Sequence, residues 1–241
     1  MKEKALLLLK SMLGDKAEFR KGQWESIESV LNNKRVLIVQ RTGWGKSIVY
    51  FIATKLLRDK GSGPSILISP LLSLMRNQIQ AAEKIGIKAE TINSDNTDDW
   101  ERIGQELVDG KCDILLLSPE RLGNERFMKN ILPNIKGGIG MFVVDEAYCI
   151  SDWGHDFRPD YRRIVRIIKL LPPNVPVMAT TATANKRVVE DIKDQLGSDL
   201  SVIRGPLIRE SLRLQVIKLK DQAERLAWLS GIAYGCQALD I

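Results

Sequence analysis

Cysteine and histidine are scarce in this chain of 241 residues, which has three cysteines and a single histidine. Cys112, Cys149 and Cys236 are odd in number and far apart, which argues against a disulfide framework. A zinc ribbon requires closely paired cysteines, and the sequence contains no such pair. We therefore expect reduced thiols and an intracellular protein.

Long hydrophobic runs are also absent. No apolar run approaches the roughly 20 residues that a helix needs to cross a bilayer, and the N-terminal run at residues 5–9 is too short for a secretory signal. Apolar residues still make up 44% of the chain, which is ample for a core. We expect a soluble, cytoplasmic protein without a membrane partner. Its net charge of +6 favours an anionic partner, although charge alone does not separate nucleic acid from a membrane surface.

Residues 40–47, with the sequence QRTGWGKS, form the most informative segment. They follow an apolar run at residues 36–39, typical of a buried strand, and precede a predicted helix at residues 48–57. Gly43 and Gly45 allow backbone N–H groups to converge on phosphate oxygens, Lys46 would reach the terminal phosphates, and the Ser47 hydroxyl would bind Mg²⁺. The strict phosphate-loop pattern has glycine where this chain has Gln40. The alternative interpretation of the segment is a helix-capping turn with a solvated lysine. The strand context favours a nucleotide triphosphate site.

Two acidic residues supply the second half of such a site. Asp145 and Glu146 follow directly after the apolar run at residues 141–144. A carboxylate at that strand end suits Mg²⁺ beside a nucleotide, and an adjacent carboxylate can deprotonate the attacking water. Asp145 fits the first role and Glu146 the second, although two acids can also simply end a strand.

Strand-like and helix-like segments alternate along most of the chain. Predicted strands lie at residues 65–69, 88–92, 113–117, 175–179 and 201–203 in addition to those above, with helices from 70 to about 79 and at 98–108, 161–171 and 185–196. Strands without polar alternation are buried on both faces, and the intervening helices imply parallel crossovers. We predict an α/β fold over roughly residues 15–206, with a mostly parallel sheet, helices on both faces and ligand sites at the carboxyl ends of the strands.

The C-terminal stretch is predicted to be separate. Residues 205–212 have the composition of a linker, residues 212–219 alternate like a strand, and residues 231–236 are consistent with one more strand. About 30 residues cannot build an independent core. We therefore assign residues 1–206 to one lobe and residues 207–241 to a linker and the incomplete start of a second lobe.

Six segments in this order resemble the RecQ family of DNA helicases, whose motor consists of two RecA-like lobes with the P-loop NTPase fold. They are residues 19–23, 40–47, 69–78, 118–122, 145–159 and 181–184. The tract at residues 149–159 is the most specific, because generic helicases lack it. The resemblance covers nearly the whole chain and corresponds to the first lobe.

The resemblance implies roles for individual residues. ATP and Mg²⁺ would be the cofactors. Gln23 would recognise the adenine edge, with Arg20 packed on the base. The catalytic residues would be Lys46, Asp145 and Glu146. The metal would be held by Ser47 and Asp145. The nucleotide-binding set is Arg20, Gln23, Thr42, Gly43, Trp44, Gly45, Lys46 and Ser47. Single-stranded and partly duplex DNA would contact Ser69, Arg76, Arg121, Trp153, His155, Phe157, Arg158, Thr181 and Thr183. Ser69 and Ser118 also fit strand-end turns with a proline at the helix start.

The chain departs from the family in two places, because Tyr148 replaces the histidine of the DEAH box and Lys21 replaces a proline. The resemblance implies 3′-to-5′ translocation, with arginines from a second lobe completing the ATP site. We expect this chain, as a monomer, to bind ATP and DNA, to hydrolyse ATP weakly, and not to unwind a duplex alone. The alternatives are a non-catalytic nucleotide- and nucleic-acid-binding module, a small-molecule P-loop kinase, and an RNA helicase.

Overall fold

The computed structural model describes residues 1–70, 79–124, 127–135, 137–151, 161–197, 199–207 and 216–237. The chain divides into two compact units, Met1–Leu207 and Ile208–Ile241. Within the described residues, no helix is both long enough and apolar enough to cross a bilayer.

The first unit alternates strands with helices from its second helix onward. Its elements are α1 (Lys2–Leu13), α2 (Gln23–Leu31), β1 (Val36–Val39), α3 (Lys46–Asp59), β2 (Ser65–Ile68), β3 (Ala89–Ile92), α4 (Trp100–Val108), β4 (Ile114–Leu117), β5 (Met141–Val144), α5 (Tyr161–Leu170), β6 (Val177–Thr181), α6 (Lys186–Leu196) and β7 (Ser201–Arg204). Short 3₁₀ turns follow β4 and β5, at Pro119–Gly123 and Ala147–Ile150.

The seven strands form one parallel sheet in the order β3-β4-β2-β5-β6-β1-β7. The α/β class and the parallel sheet predicted from the sequence are therefore confirmed. Because the strands are parallel, their carboxyl ends share one edge of the sheet. The register pairs Ile68 with Leu117 and Val39 with Thr181, so the residues that follow those strands lie side by side.

Both faces of the sheet are covered. Along β1, Leu37 and Val39 join one core cluster, whereas Val36 and Ile38 join another. Buried residues of α1, α2 and α3 belong to the second cluster, and those of α4, α5 and α6 to the first. Successive side chains of a strand point to opposite faces of the sheet, so alternate residues belong to different core clusters. Because both faces are buried, these strands are uniformly apolar.

The structure corrects one predicted element in the second unit. Residues 231–236, interpreted as a strand, lie within helix α7 (Gln222–Gln237). The preceding residues of α7 include alanine, glutamate, arginine and leucine, which are good helix formers, and an established helix gains one hydrogen bond for each residue it adds. Residues 216–219, which end the other predicted strand, form no strand, and residues 208–215 lie outside the described residues.

Element boundaries in the first unit differ from prediction in smaller ways. Strand β6 begins two residues later than expected, at Val177, after Pro176, whose carbonyl accepts a hydrogen bond from the Phe142 N–H. Helices α1 and α2 were not predicted. In α1, however, Ala5, Leu9 and Met12 are buried at helical spacing, so the pattern that marks this helix was present in the sequence.

Candidate functional site

The loop between β1 and α3 has the backbone of a phosphate-binding turn. Gly43 and Gly45 have φ angles of +79° and +98°, in the left-handed region that glycine adopts without steric cost. Gly45 is the N-cap of α3, so the loop leads directly into the positive end of that helix. Thr42 and Gly43 are exposed, whereas Lys46 and Ser47, in the first turn of the helix, are half-buried.

Residues at the start of α2 hold this loop. The Arg20 guanidinium donates a hydrogen bond to the Gly43 carbonyl, and Gln23 Nε2 donates to the Trp44 carbonyl at 3.0 Å. Gln23 Oε1 accepts from the Arg20 backbone N–H at 2.9 Å. The Trp44 side chain is buried in the core cluster on the α1–α3 face of the sheet. An amide has two donors and two acceptor lone pairs, so each half of the Gln23 side chain retains capacity for a second hydrogen bond.

Gln40, at the position where the strict pattern has glycine, connects the loop to two neighbouring segments. Its N–H donates to the Thr181 carbonyl at 3.1 Å, and its carbonyl accepts from Lys46 Nζ at 3.0 Å. A Cβ atom on Gly205 would lie only 2.3 Å from Gln40 Oε1, so the glutamine side chain packs directly on that glycine. The sequence did not show this contact, because the two residues are distant in the chain.

The two acids predicted for metal binding and catalysis lie at the end of β5. Asp145 is buried, and its Oδ1 accepts hydrogen bonds from Thr180 Oγ1 at 2.6 Å and from the Glu146 N–H at 3.1 Å. Glu146 has a left-handed backbone with φ +51°, which is uncommon for a residue other than glycine. The backbone N–H of Ala182, which follows β6, lowers the pKa of its carboxyl group.

Electrostatic interactions join these acids to the loop lysine. Burial lowers the pKa of Lys46, while Glu146 and Asp145 act in the opposite direction. Burial raises the pKa of Glu146, the neighbouring Asp145 raises it further, and Lys46 opposes both. The structure therefore brings the three predicted catalytic residues within electrostatic reach of one another.

Tyr50 is a neighbour of these acids that sequence reasoning missed. It lies on α3, is 1% exposed, and packs edge-on against Phe51 with the ring centroids 4.8 Å apart. Burial, followed by the charges of Asp145 and Glu146, raises the pKa of its hydroxyl well above the usual value. The sequence contained one signal for this position, because Tyr50 follows Lys46 by four residues on the same helix and therefore lies on the same helix face.

Two residues predicted to contact DNA, Ser69 and Arg121, lie after β2 and β4, and Ser118 lies beside them. Ser69 and Ser118 are buried next to each other, and the Ser69 N–H donates to the Leu117 carbonyl at 3.0 Å. Among the residues that the structure describes, neither serine hydroxyl has a hydrogen-bond partner, and neither does the buried Nε of Arg121. The Arg121 guanidinium lies over the Trp100 ring, 4.7 Å from its centroid.

Thr181 and Thr183 form a local turn after β6. Thr181 Oγ1 donates to the Thr183 carbonyl at 2.9 Å and accepts from the Thr183 N–H at 3.2 Å. This turn contains Ala182, whose N–H contacts Glu146. Arg76, Trp153, His155, Phe157 and Arg158 lie outside the described residues, and their predicted roles remain predictions.

Comparison with known proteins identifies the family of this chain. The DEAD/DEAH box helicase family matches residues 20–192. The ATP-dependent DNA helicase RecQ of Haemophilus influenzae is 38% identical over 214 residues, which cover 88% of this chain and 33% of the relative. RecQ of Bacillus subtilis is 39% identical over 206 residues, covering 83% of this chain and 33% of the relative.

Solved structures agree on the fold. A hypothetical ATP-dependent RNA helicase from Sulfolobus tokodaii superimposes with a TM-score of 0.60 at 19% identity, covering 84% of this chain and 57% of that one. This likeness confirms the RecA-like fold. The chain spans about a third of the length of the RecQ relatives. From the family match, the parallel sheet and the loop at its carboxyl edge, we conclude that the chain belongs to the DEAD/DEAH box helicase family and that RecQ helicases are among its sequence relatives.

Proposed function

We propose that this chain is the ATP-binding motor lobe of a RecQ-like DNA helicase, which couples ATP hydrolysis to movement along single-stranded DNA and to duplex unwinding when a second lobe is present. One observation carries the proposal. Lys46, Asp145 and Glu146 interact electrostatically at the carboxyl edge of the sheet, beside a loop with two left-handed glycines.

The residues present fit a polyphosphate. Gly45 has φ +98°, which L side chains rarely adopt, and a Cβ atom there would lie 2.8 Å from Gln23 Nε2, so a larger residue would strain the loop and displace that side chain. Lys46 lies against a neutral carbonyl, and its lowered pKa reflects the cost of burying its charge. A phosphate oxygen would give this ammonium an anionic partner and offset that cost.

The same residues fit a divalent cation bound with ATP. The Ser47 hydroxyl and the Asp145 carboxylate would hold Mg²⁺, and Thr180 keeps the Asp145 carboxylate in place through its 2.6 Å hydrogen bond. Bound Mg²⁺ would neutralise charge on the phosphate oxygens.

Glu146 is suited to accept a proton from the attacking water. Its raised pKa makes the carboxylate a stronger base than an exposed glutamate, and the Ala182 N–H favours its charged form. Ala182 belongs to the 181–183 turn, which we propose to lie along the DNA strand. DNA binding that moves this turn would therefore change the electrostatic surroundings of Glu146.

Nucleotide and DNA contacts follow from the remaining geometry. Gln23 and Arg20 lie beside the loop, where the second hydrogen-bonding positions of the Gln23 amide would pair with the donor and acceptor of an adenine edge. Ser69, Ser118 and Arg121 lie at one edge of the sheet, and we propose that this edge contacts phosphates without base recognition.

Turnover by the 241-residue chain itself is proposed to be weak. In two-lobed helicases the second lobe contributes arginines to the transferring phosphoryl group, and an arginine of this kind changes the rate by about 10³–10⁵. Unwinding and 3′-to-5′ movement are proposed for a protein in which this lobe works with that partner lobe.

The test measures MgATP binding by calorimetry and phosphate release with and without single-stranded DNA, with Lys46→Ala as the blank. We expect measurable MgATP binding, slow turnover, and loss of both in Lys46→Ala. Strong DNA-stimulated turnover would contradict the prediction of weak hydrolysis and leave the motor assignment standing. If Glu146→Gln leaves the residual turnover unchanged, the chain is a non-catalytic binding module instead.

A further inference from the structure

A cavity lies apart from the loop at residues 40–47, between α4 and the segment that follows β4. Its volume is about 390 Å³, which is within the range of small-molecule sites. Its walls include Ile92, Leu117, Phe127 and Ile131, and the exposed residues Glu101, Gln105 and Asn130 lie at its mouth. The nucleotide site proposed above does not use this space, and of the proposed DNA contacts only Arg121 lines it.

A flat polar surface forms part of the cavity wall. The Trp100 indole N–H donates to the Asn93 carbonyl at 3.2 Å, which fixes the ring, and the Arg121 guanidinium lies on that ring. A planar ligand could stack here and accept hydrogen bonds from the guanidinium.

The charges of the lining narrow the choice of ligand. The lining contains one carboxylate, Glu101, and one guanidinium, Arg121, so it has no net positive charge to attract a phosphate or a carboxylate. Asn124 and Asn130 add amide groups to the lining. A neutral, planar group with hydrogen-bonding edges and a stacking face matches this combination of apolar walls, arginine and amides, and a nucleobase has all of these properties.

The cavity lies close to the proposed path of the DNA strand, so a base of that strand can reach it. The Arg121 N–H donates to the Ser118 carbonyl, so the cavity begins within one turn of Ser118 at the carboxyl edge of β4. That edge is the proposed path of the DNA backbone. We propose that the cavity is a nucleobase subsite, in which one unstacked base of the bound strand inserts beside Trp100 and Arg121. This inference rests on the proposed DNA-binding function and adds base contact to it.

A photocrosslinking experiment on the 241-residue chain tests the subsite. An oligo(dT) strand carrying 5-iododeoxyuridine is bound and irradiated, because halogenated pyrimidines crosslink to aromatic rings in contact. Trypsin then releases residues 89–102, which contain Trp100, as one peptide. Strand affinity is measured in parallel by fluorescence anisotropy.

We expect the crosslink in the 89–102 peptide of the unmodified chain and at least a fivefold lower yield in Val108→Phe, which fills the cavity from α4. Gln105→Trp blocks the mouth from an exposed position and gives the same test without changing the core. Arg102→Lys is the matched control, because Arg102 lies on the same helix, is not among the lining residues and stays a trypsin site. An abasic strand should bind about fivefold or more weakly than oligo(dT) to the unmodified chain, and this difference should shrink in the two blocked variants.

Two results would overturn the inference. One is tight strand binding without a crosslink in residues 89–102, in which case the cavity serves another ligand and the DNA-binding proposal survives. The other is a crosslink that neither blocking substitution reduces. Absence of any strand binding would reject the proposed function itself, together with the subsite.

Discussion

Thr180 donates a hydrogen bond to Asp145 across neighbouring strands, with Oγ1 and Oδ1 2.6 Å apart. The sheet register brings these residues together. Val144 pairs with Ala179, so the next residues, Asp145 and Thr180, lie opposite each other. The hydroxyl holds the carboxylate that we assign to Mg²⁺. We expect Thr180→Val to remove the donor while keeping the side-chain volume, and to lower the free energy of unfolding by about 1–3 kcal/mol.

Urea unfolding of Thr180→Val and Thr180→Ser measures this contribution, and calorimetry measures MgATP affinity for the same variants. Thr180→Ser keeps the hydroxyl and should stay within about 1 kcal/mol of the unmodified chain. If the valine and serine variants are equally stable and bind MgATP equally, the hydrogen bond does not position Asp145.

Glu146→Gln should separate catalysis from stability. A general base commonly contributes about 10²–10⁴ in rate, so turnover should fall by that factor while MgATP binding persists. Because Glu146 has a raised pKa in the folded chain, its ionisation favours the unfolded state. The unmodified chain should therefore lose stability relative to the variant as pH rises from the ordinary glutamate value of 4.5 through the raised folded pKa.

Thermal unfolding across this pH range tests the sign. The variant should unfold at a higher temperature than the unmodified chain at pH 8, and the two should converge at low pH, where Glu146 is protonated in both states. Glu18→Gln, at an exposed position, serves as the control. A variant less stable than the unmodified chain at pH 8 would mean that attraction to Lys46 outweighs the cost of burial.

Substitution of Gln23 distinguishes loop support from adenine recognition. Gln23→Ala removes the donor to the Trp44 carbonyl, and loss of one hydrogen bond should weaken ATP binding by about tenfold. Gln23→Glu should weaken it further, because a carboxylate would face that carbonyl. Titrations with ATP and GTP give the measurement. An equal loss for both nucleotides would indicate loop support alone, whereas a loss of ATP preference would indicate adenine recognition.

Gly63→Ala tests a backbone contact on the opposite edge of the sheet. A Cβ atom at Gly63 would lie 1.7 Å from the Gly138 carbonyl oxygen, and neither backbone can move without disturbing its strand. We expect a loss of about 3 kcal/mol in urea unfolding, at the upper end for overpacking. Gly231→Ala is the comparison, because its Cβ would meet nothing within 4 Å. A loss below about 1 kcal/mol in Gly63→Ala would show that the two backbones can separate.

Much of the first unit could be predicted from local pattern. Uniformly apolar runs identified β1, β2, β4 and β5 within a residue at either end, because burial on both faces leaves no polar position in such strands. The helix over residues 231–236 could not be identified in the same way. Six residues that include Gly231 and Gly235 suit a strand as well as a helix, and the helix-forming residues before them decided the outcome.

The amino-acid sequence by itself determined the α/β class, the glycine-containing loop at residues 40–47, the acids at 145 and 146, and the helicase family, because each depends on residue type at short spacing. Only the tertiary structure decided which distant groups meet. Strand order and register place Tyr50 near the acids, Gln40 against Gly205, the Ala182 N–H near Glu146, and the cavity next to Trp100. Those contacts join residues far apart in the chain, and close packing of both sheet faces, which no local pattern encodes, brings them together.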